Sequence, residues 1–270
     1  MSRIQAVIFD WAGTVVDYGC FAPMNAFMQA FEQAGVPISE DEVRGPMGKL
    51  KRDHIQSILQ IERVRLAWRN QFDSEPVEAD IDRLYASFEE RLMATLHRFT
   101  DPLPGVLEVV KELRGRGLKI GSTTGYTRKM MKVVTEGAKE KGYEPDYMIA
   151  SDEVKQGRPY PYMIYKNLLA LEVSTPKAAV KVGDTLADVL EGKRAGVWSV
   201  AVIQGSSELG LKLEEVERSP AGELEMRMEH VRRKFKEAGA DYVIDTIDEL
   251  PALLDMVERR GDRLSNEPIL

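Results

Sequence analysis

Only one cysteine, Cys20, occurs in the 270 residues, so no intramolecular disulfide can form and the chain suits a reducing compartment. No apolar run is long enough to span a bilayer. The opening Met1-Ser2-Arg3-Ile4-Gln5 leads straight into a strand too short for the core of a signal peptide. Basic residues are not in excess, since 37 Lys and Arg against 44 Asp and Glu leave a net charge of −7. That balance argues against a nucleic-acid partner or a membrane surface, and an anionic small-molecule substrate would need local positive charge instead. A cytoplasmic location is expected. Apolar residues at 43% and charged residues at 30% are ordinary for a globular chain, and the length allows one or two domains.

What is present is organised around Ala6-Val7-Ile8-Phe9-Asp10-Trp11-Ala12-Gly13-Thr14. A short apolar run ending in a carboxylate and a turn reads as a buried, parallel-type strand. Ligands of such sheets bind beyond the carboxyl ends of the strands, where Asp10 stands. The pattern then becomes helical, with Phe21, Met24, Phe27, Met28 and Phe31 on one stripe and Gly35 closing it. Ser39-Glu40-Asp41-Glu42 matches a capping box, and its helix breaks near Gly45-Pro46. A further helix carries Ile55, Ile58 and Leu59, and a long one follows Pro76 with Ile81, Leu84, Tyr85, Phe88, Leu92 and Phe99.

From Asp101-Pro102-Leu103-Pro104-Gly105 onward, helix and strand alternate, with strands expected at Leu118–Thr123, Tyr147–Ala150, Ala179–Val182, Val197–Ile203 and Tyr242–Ile244. The charged stretch from Gly205 to Gly239 reads as an irregular loop followed by a helix. The expected architecture is an α/β fold, a Rossmann-like parallel sheet core with an inserted α-helical cap domain. Residues 1–19 and 101–270 form the core, and 20–100 the cap.

Four strand ends carry polar signatures, namely Asp10, then Ser122-Thr123-Thr124-Gly125, then Gly157-Arg158-Pro159, then Gly183-Asp184-Thr185 with Asp188 four residues on. Singly each has a bland reading as a helix cap, turn residue or surface charge. In order at successive strand ends they fit phosphoryl transfer. Asp10 and Asp184 offer hard oxygen ligands for Mg²⁺, with Asp188 placed to hold a metal-bound water. Thr124 and Arg158 can bind phosphoryl oxygens, and Asp10 can act as the nucleophile.

With these motifs the sequence resembles the haloacid dehalogenase-like superfamily across almost the whole chain. Two departures stand out. The usual phosphatase pattern places a general-acid Asp two residues after the nucleophile, where this chain has Ala12, and the commonly Lys third motif is Arg158. A methyl group cannot protonate a leaving alkoxide. Cleavage of a carbon–phosphorus bond beside an aldehyde needs no such acid, provided that a Lys in the cap forms an imine, and Lys51 is the candidate. Through Phe9–Pro23, Pro46–His54, Gly121–Arg128, Gly157–Pro161 and Lys181–Asp188 the chain is similar to the phosphonatase family, whose substrate is phosphonoacetaldehyde.

The resemblance implies that Asp10 attacks phosphorus and that Lys51 forms a Schiff base with the aldehyde. It implies Mg²⁺ held by Asp10, the Ala12 carbonyl and Asp184, with Asp188 supporting the metal shell. Thr124 and Arg158 would grip the phosphonyl group, while Met47, Gly48, His54, Tyr126 and Cys20 line the cap–core cleft. His54, on the Lys51 face of its helix, could shuttle a proton or be a surface histidine with a local partner, and Cys20 could equally be a small buried hydrophobe. A nucleophilic Lys51 needs its charge disfavoured, by Lys49 and Arg52 or by desolvation. A homodimer through the Met- and Phe-rich cap helices is plausible and agrees with the family. The alternative activity is a Mg²⁺-dependent phosphatase or phosphomutase of the same superfamily acting on a small phosphate ester.

Overall fold

The structure, a computed structural model, describes residues 3–265. Its centre is strand β1 (Ala6–Phe9), four apolar residues that are all buried, as a strand covered on both faces must be. The chain next forms five helices without a strand among them: α1 (Phe21–Gln33), α2 (Glu40–Arg44), α3 (Lys51–Leu59), α4 (Glu62–Phe72) and α5 (Glu78–Thr95). Helix α4 was not anticipated; its arginine-rich sequence carries only Val64 and Trp68 inward, too weak a stripe to announce itself. The Ser39–Glu42 capping box forms as expected.

Regular alternation follows, with α6 (Val106–Gly115), β2 (Lys119–Thr124), α7 (Arg128–Glu140), β3 (Tyr147–Ala150), α8 (Tyr162–Ala170), β4 (Ala179–Gly183), α9 (Leu186–Ala195) and β5 (Trp198–Val202). The charged segment resolves into two helices, α10 (Leu213–Arg218) and α11 (Ala221–Glu237), where a loop and one helix were expected. Strand β6 (Tyr242–Ile244) and helix α12 (Leu250–Ser265) close the described chain.

The six strands are all parallel, in the order β3-β2-β1-β4-β5-β6. The order reverses at β1, which has β2 on one side and β4 on the other. That is the switch point where a crevice opens beyond the strand ends. Side chains alternate across the sheet. Ile8 packs with Ile164 and Leu168 of α8, whereas Val7 and Phe9 join the core made with α6, α7, α12 and the inserted helices. Register matters most at the ends: Phe9 lies level with Ser122 of β2 and Val182 of β4. The next residues, Asp10, Thr123 and Gly183, therefore emerge side by side.

Within the insertion, Phe27 of α1 stacks on Phe88 of α5 with ring centroids 4.1 Å apart. Met24, Phe27 and Phe31 are buried inside the chain, and of the apolar stripe on α1 only Phe21 and Met28 stay half-exposed. The apolar surplus that suggested a dimer is thus absorbed by the chain's own packing.

The connection into α1 is held by Asp17, whose carboxylate accepts from the Phe21 N–H at 2.9 Å and the Ala22 N–H at 3.0 Å. These are two of the donors that a helix start leaves open. Burial nevertheless pushes the Asp17 carboxyl up from 3.8 to about 7, against the pull of those N–H groups and of Arg44. The folded state therefore holds the proton more tightly than the unfolded chain, and this group's contribution to stability is full below pH 3.8 and is lost as pH rises to about 7. Urea midpoints measured across that window should show Asp17→Asn gaining on the wild type as pH increases; parallel pH profiles would contradict the shift.

Candidate active site

Strand ends and the start of one inserted helix converge on a single enclosed space. A cavity of about 20 Å³ is lined by Asp10 and Ala12 after β1, Thr124, Gly125 and Tyr126 at the end of β2, Arg158, and Asp184 and Thr185 after β4. The insertion contributes Cys20, Met47, Gly48 and Lys51. Ten of the twelve residues singled out from the sequence line this space; His54 and Asp188 stand behind it. A volume of about 20 Å³ holds roughly one water, so insertion and sheet are closed on each other. Gly125 permits that closeness, because a Cβ there would lie 2.8 Å from the Lys49 carbonyl and 2.9 Å from that of Gly48.

Behind the cavity lies a buried charge network. One Arg158 nitrogen meets Asp10 Oδ1 at 2.7 Å, another meets Asp188 Oδ1 at 3.1 Å, and its Nε meets Glu191 at 2.9 Å. Arg158 also donates to the Thr123 hydroxyl at 2.6 Å. Lys181, fully buried on β4, reaches Asp188 at 2.8 Å. The sequence reading missed Lys181, Glu191 and Thr123. A lysine inside the apolar run Ala179-Val180-Lys181-Val182 was a signal for the first, and Glu191 three residues after Asp188 on one helix face for the second. Thr123 stood within the Ser122–Gly125 signature, but only the fold brings it to Arg158.

The model of the haloacid dehalogenase-like hydrolase family matches residues 4–196. The phosphonoacetaldehyde hydrolase of Bacillus cytotoxicus is 52% identical over 96% of this chain and 98% of its own length. The chain belongs to the haloacid dehalogenase-like hydrolases, in the phosphonoacetaldehyde hydrolase family. A bifunctional phosphonoacetaldehyde hydrolase/aminoethylphosphonate transaminase of Clostridioides difficile is 54% identical over 95% of this chain, which spans only 40% of that longer protein. Among solved structures, a phosphonoacetaldehyde hydrolase-like protein from Oleispira antarctica matches with a TM-score of 0.95 and 37% identity over 97% of this chain and 95% of the other. A β-phosphoglucomutase from Clostridium difficile, at 16% identity over 96% of this chain and 99% of its own, shares the fold with a TM-score of 0.69.

Hydrolases of this superfamily use a divalent metal, and the acidic residues fit one. Carboxylate oxygens of Asp10, Asp184 and Asp188 lie within 4.8 Å of one another, an all-oxygen donor set suited to a hard cation. Arg158 and Lys181 compensate Asp10, Asp188 and Glu191, but among the described residues Asp184 pairs with no cation. Burial, then the neighbouring Asp10 and Asp188, push the Asp184 carboxyl well above its usual range. Burial likewise raises Asp10 against the pull of Arg158. At Asp188 burial is outweighed by Arg158 and Lys181, which hold it low. A bound cation would supply the charge that Asp184 lacks. The backbone after Ala12 passes close by, since a Cβ on Gly13 would strike the Asp184 carboxylate.

Lys51 opens α3 and is 3% exposed, its Nζ 5.0 Å from the centre of the Tyr126 ring and 5.9 Å from that of Phe27. Burial lowers its pKa, with Arg158 adding to the effect and Cys20, Asp10 and Asp184 opposing it. A helix N-terminus disfavours a cation as well. Arg52 takes no part, being turned outward to Glu78 and Asp82, and the Lys49 amine is spent on the Ser57 hydroxyl. His54 is fully buried, not a surface histidine. It lies against Phe27 at 4.1 Å with Nε2 2.8 Å from the Val43 carbonyl and Nδ1 without a partner. That bond makes Nε2 the protonated nitrogen and leaves Nδ1 a free acceptor. Burial and the nearby Lys51 hold the ring neutral, well below the usual histidine range.

Two stability measurements test this electrostatic reading. Lys181→Met leaves Asp188 short of a cation and should cost about 3–5 kcal/mol in urea unfolding without divalent metal. Lys51→Met removes a buried amine whose folded pKa lies below 10.5. The variant should therefore melt higher than wild type below the folded value, with the advantage shrinking through the window between the two values and vanishing above about pH 10.5. An advantage independent of pH would mean that packing, not charge, is responsible.

Proposed function

We propose that this chain hydrolyses phosphonoacetaldehyde to acetaldehyde and phosphate, with Asp10 and Lys51 as the two reacting groups. The observation that carries the reading is that Asp10 and Lys51 line one small cavity together with Ala12. The relatives that bear this activity in their names, at about half identity over nearly their whole length, support it.

In this reading the Lys51 amine adds to the aldehyde carbon, and loss of water leaves a protonated imine. An Asp10 oxygen then bonds to phosphorus while the carbon–phosphorus bond breaks. The departing electron pair enters the imine, neutralises its nitrogen and gives an enamine. That electron sink replaces proton donation to a leaving oxygen, so a carboxyl at position 12 has nothing to do. The enamine carbon takes up a proton, and water releases acetaldehyde and the free amine. A second water cleaves the aspartyl phosphate and restores Asp10.

Burial keeps the Lys51 amine closer to its nucleophilic, neutral form. The free Nδ1 of His54, one turn from Lys51, suits it to relay protons during imine formation. Arg158 lies against Asp10 and Thr124 at the cavity wall, where both can donate to phosphonyl oxygens. Mg²⁺ held by Asp10, the Ala12 carbonyl and Asp184, with Asp188 behind, would offset the negative charge that otherwise repels an anionic substrate. Residues 20–100 would act as a cap over the core formed by 1–19 and 101–270, with Met47, Gly48, Tyr126 and Cys20 at the seam. A cytoplasmic homodimer belongs to the same proposal, and family likeness supports the dimer better than exposed apolar surface does.

The test is borohydride reduction in the presence of phosphonoacetaldehyde, followed by peptide mapping. An adduct on Lys51 is expected in the wild type and in Asp10→Ala, while Asp10→Ala releases no phosphate. Absence of the adduct, or faster phosphate release from simple phosphate esters than from phosphonoacetaldehyde, would overturn the reading in favour of a phosphatase.

A further inference from the structure

Arg44, the last residue of α2, takes no part in the chemistry above. Its side chain is only 11% exposed, and apart from a long 3.9 Å ion pair with Glu40 of its own helix its fork is spent on backbone outside that helix. One terminal nitrogen donates to the Gly19 carbonyl at 2.9 Å and to the Ser207 carbonyl at 3.1 Å; the other donates to the Gly210 carbonyl at 3.3 Å. Gly19 belongs to the connection that leads from β1 into α1, and its N–H donates to the Gly205 carbonyl at 2.7 Å. Ser207 and Gly210 belong to the loop after β5. One guanidinium therefore ties together the insertion, the connection and a loop of the sheet.

The same loop touches the acidic cluster. The Ser207 N–H donates to Asp184 Oδ2 at 2.8 Å, so the residue that receives Arg44 through its carbonyl holds Asp184 through its amide. The loop is stiff. Ser206 N–H bonds to the Ile203 carbonyl, Gly210 N–H to the Ser206 carbonyl, and Leu209 N–H to the Ser206 hydroxyl. A shift imposed on Ser207 from one side is carried to the other, because its peptide groups are engaged on both. Gly210 is shaped for this contact. It has φ +66°, and a Cβ on it would lie 2.8 Å from Arg44 Nε and 2.9 Å from Cζ.

We propose that Arg44 is a positioning residue that couples docking of the helical insertion to the orientation of Asp184, through Ser207. Closure of the insertion and readiness of the cluster for a divalent cation are then one event. The inference rests on reading Asp10, Asp184 and Asp188 as the cation site, but not on the identity of the organic substrate.

The test is direct titration of the substrate-free protein with Mn²⁺, free ion being read by electron paramagnetic resonance. Arg44→Ala should weaken Mn²⁺ binding by about tenfold or more, as loss of a group supporting a ligand does. Gly210→Ala, which keeps the arginine but displaces its fork, should do the same. Arg65→Ala removes an exposed insertion arginine paired only with Glu62 and Glu75, and should stay within about twofold of wild type. A merely structural Arg44 would lower the unfolding midpoint and leave Mn²⁺ affinity alone, which would overturn the proposal. So would a wild type that binds no Mn²⁺. Should Arg44→Ala not fold, Gly210→Ala decides. A wild type that binds Mn²⁺ but leaves phosphonoacetaldehyde intact refutes the proposed activity without touching this coupling.

Discussion

Four carboxylates and two cations share a water-poor space at the end of the central strand. Asp10, Asp184, Asp188 and Glu191 are all at most 5% exposed, and among the described residues the cations that form ion pairs with them are Arg158 and Lys181. Charges in such surroundings interact far more strongly than in water, and an uncompensated one is costly. Arg158 and Lys181 settle the inner part of the account, and Asp184 is left over. A site short of positive charge invites a metal cation, an arginine fork turned toward Asp10, and an amine brought in from elsewhere in the chain.

The amine arrives on a separate group of helices, and this division of labour has physical consequences. Lys51 can be desolvated only when the insertion lies against the sheet, so its basicity is a property of the closed arrangement and not of α3. The same contact leaves a cavity of about 20 Å³, no larger than a water molecule, so the proposed substrate would need the two parts to separate. The backbone at Gly125 and the Arg44 fork lie on two sides of that seam, each where a side chain or a peptide group approaches too closely to tolerate an added methyl.

Ala12 acquires its meaning from the same geometry. In a site that expels an alkoxide, a methyl group at this wall would be a defect. In a site where the electron pair departs into an imine, a second carboxylate there would only deepen the charge deficit around Asp184. The fold shared with a phosphoglucomutase shows that the sheet and helical insertion do not choose the reaction. The choice lies in a few side chains at the seam.

Local chemistry made much of this legible in the sequence. Apolar runs marked the strands other than β2, whose Lys119-Ile120-Gly121-Ser122-Thr123-Thr124 was placed by the helix–strand alternation; the Ser39–Glu42 box marked a helix start, and the polar signatures at Asp10, Thr124, Arg158 and Asp184 marked one edge of the sheet, because a parallel sheet puts its strand ends on the same side. The pairing of Ala12 with Lys51 was also readable, since a missing acid and an extra amine are both facts of composition at fixed positions. Helix α4 was not, its apolar stripe being two residues wide. Nor were Lys181, Glu191 and Thr123, whose importance comes from what stands next to them after folding, or the burial of His54 against Phe27. Sequence alone determined which ionisable groups stand at the strand ends and at the start of α3. Tertiary structure decided which are dry, which are paired, and that Asp184 pairs with no cation among the described residues, because desolvation and Coulomb energy depend on distances in space that no spacing along the chain encodes.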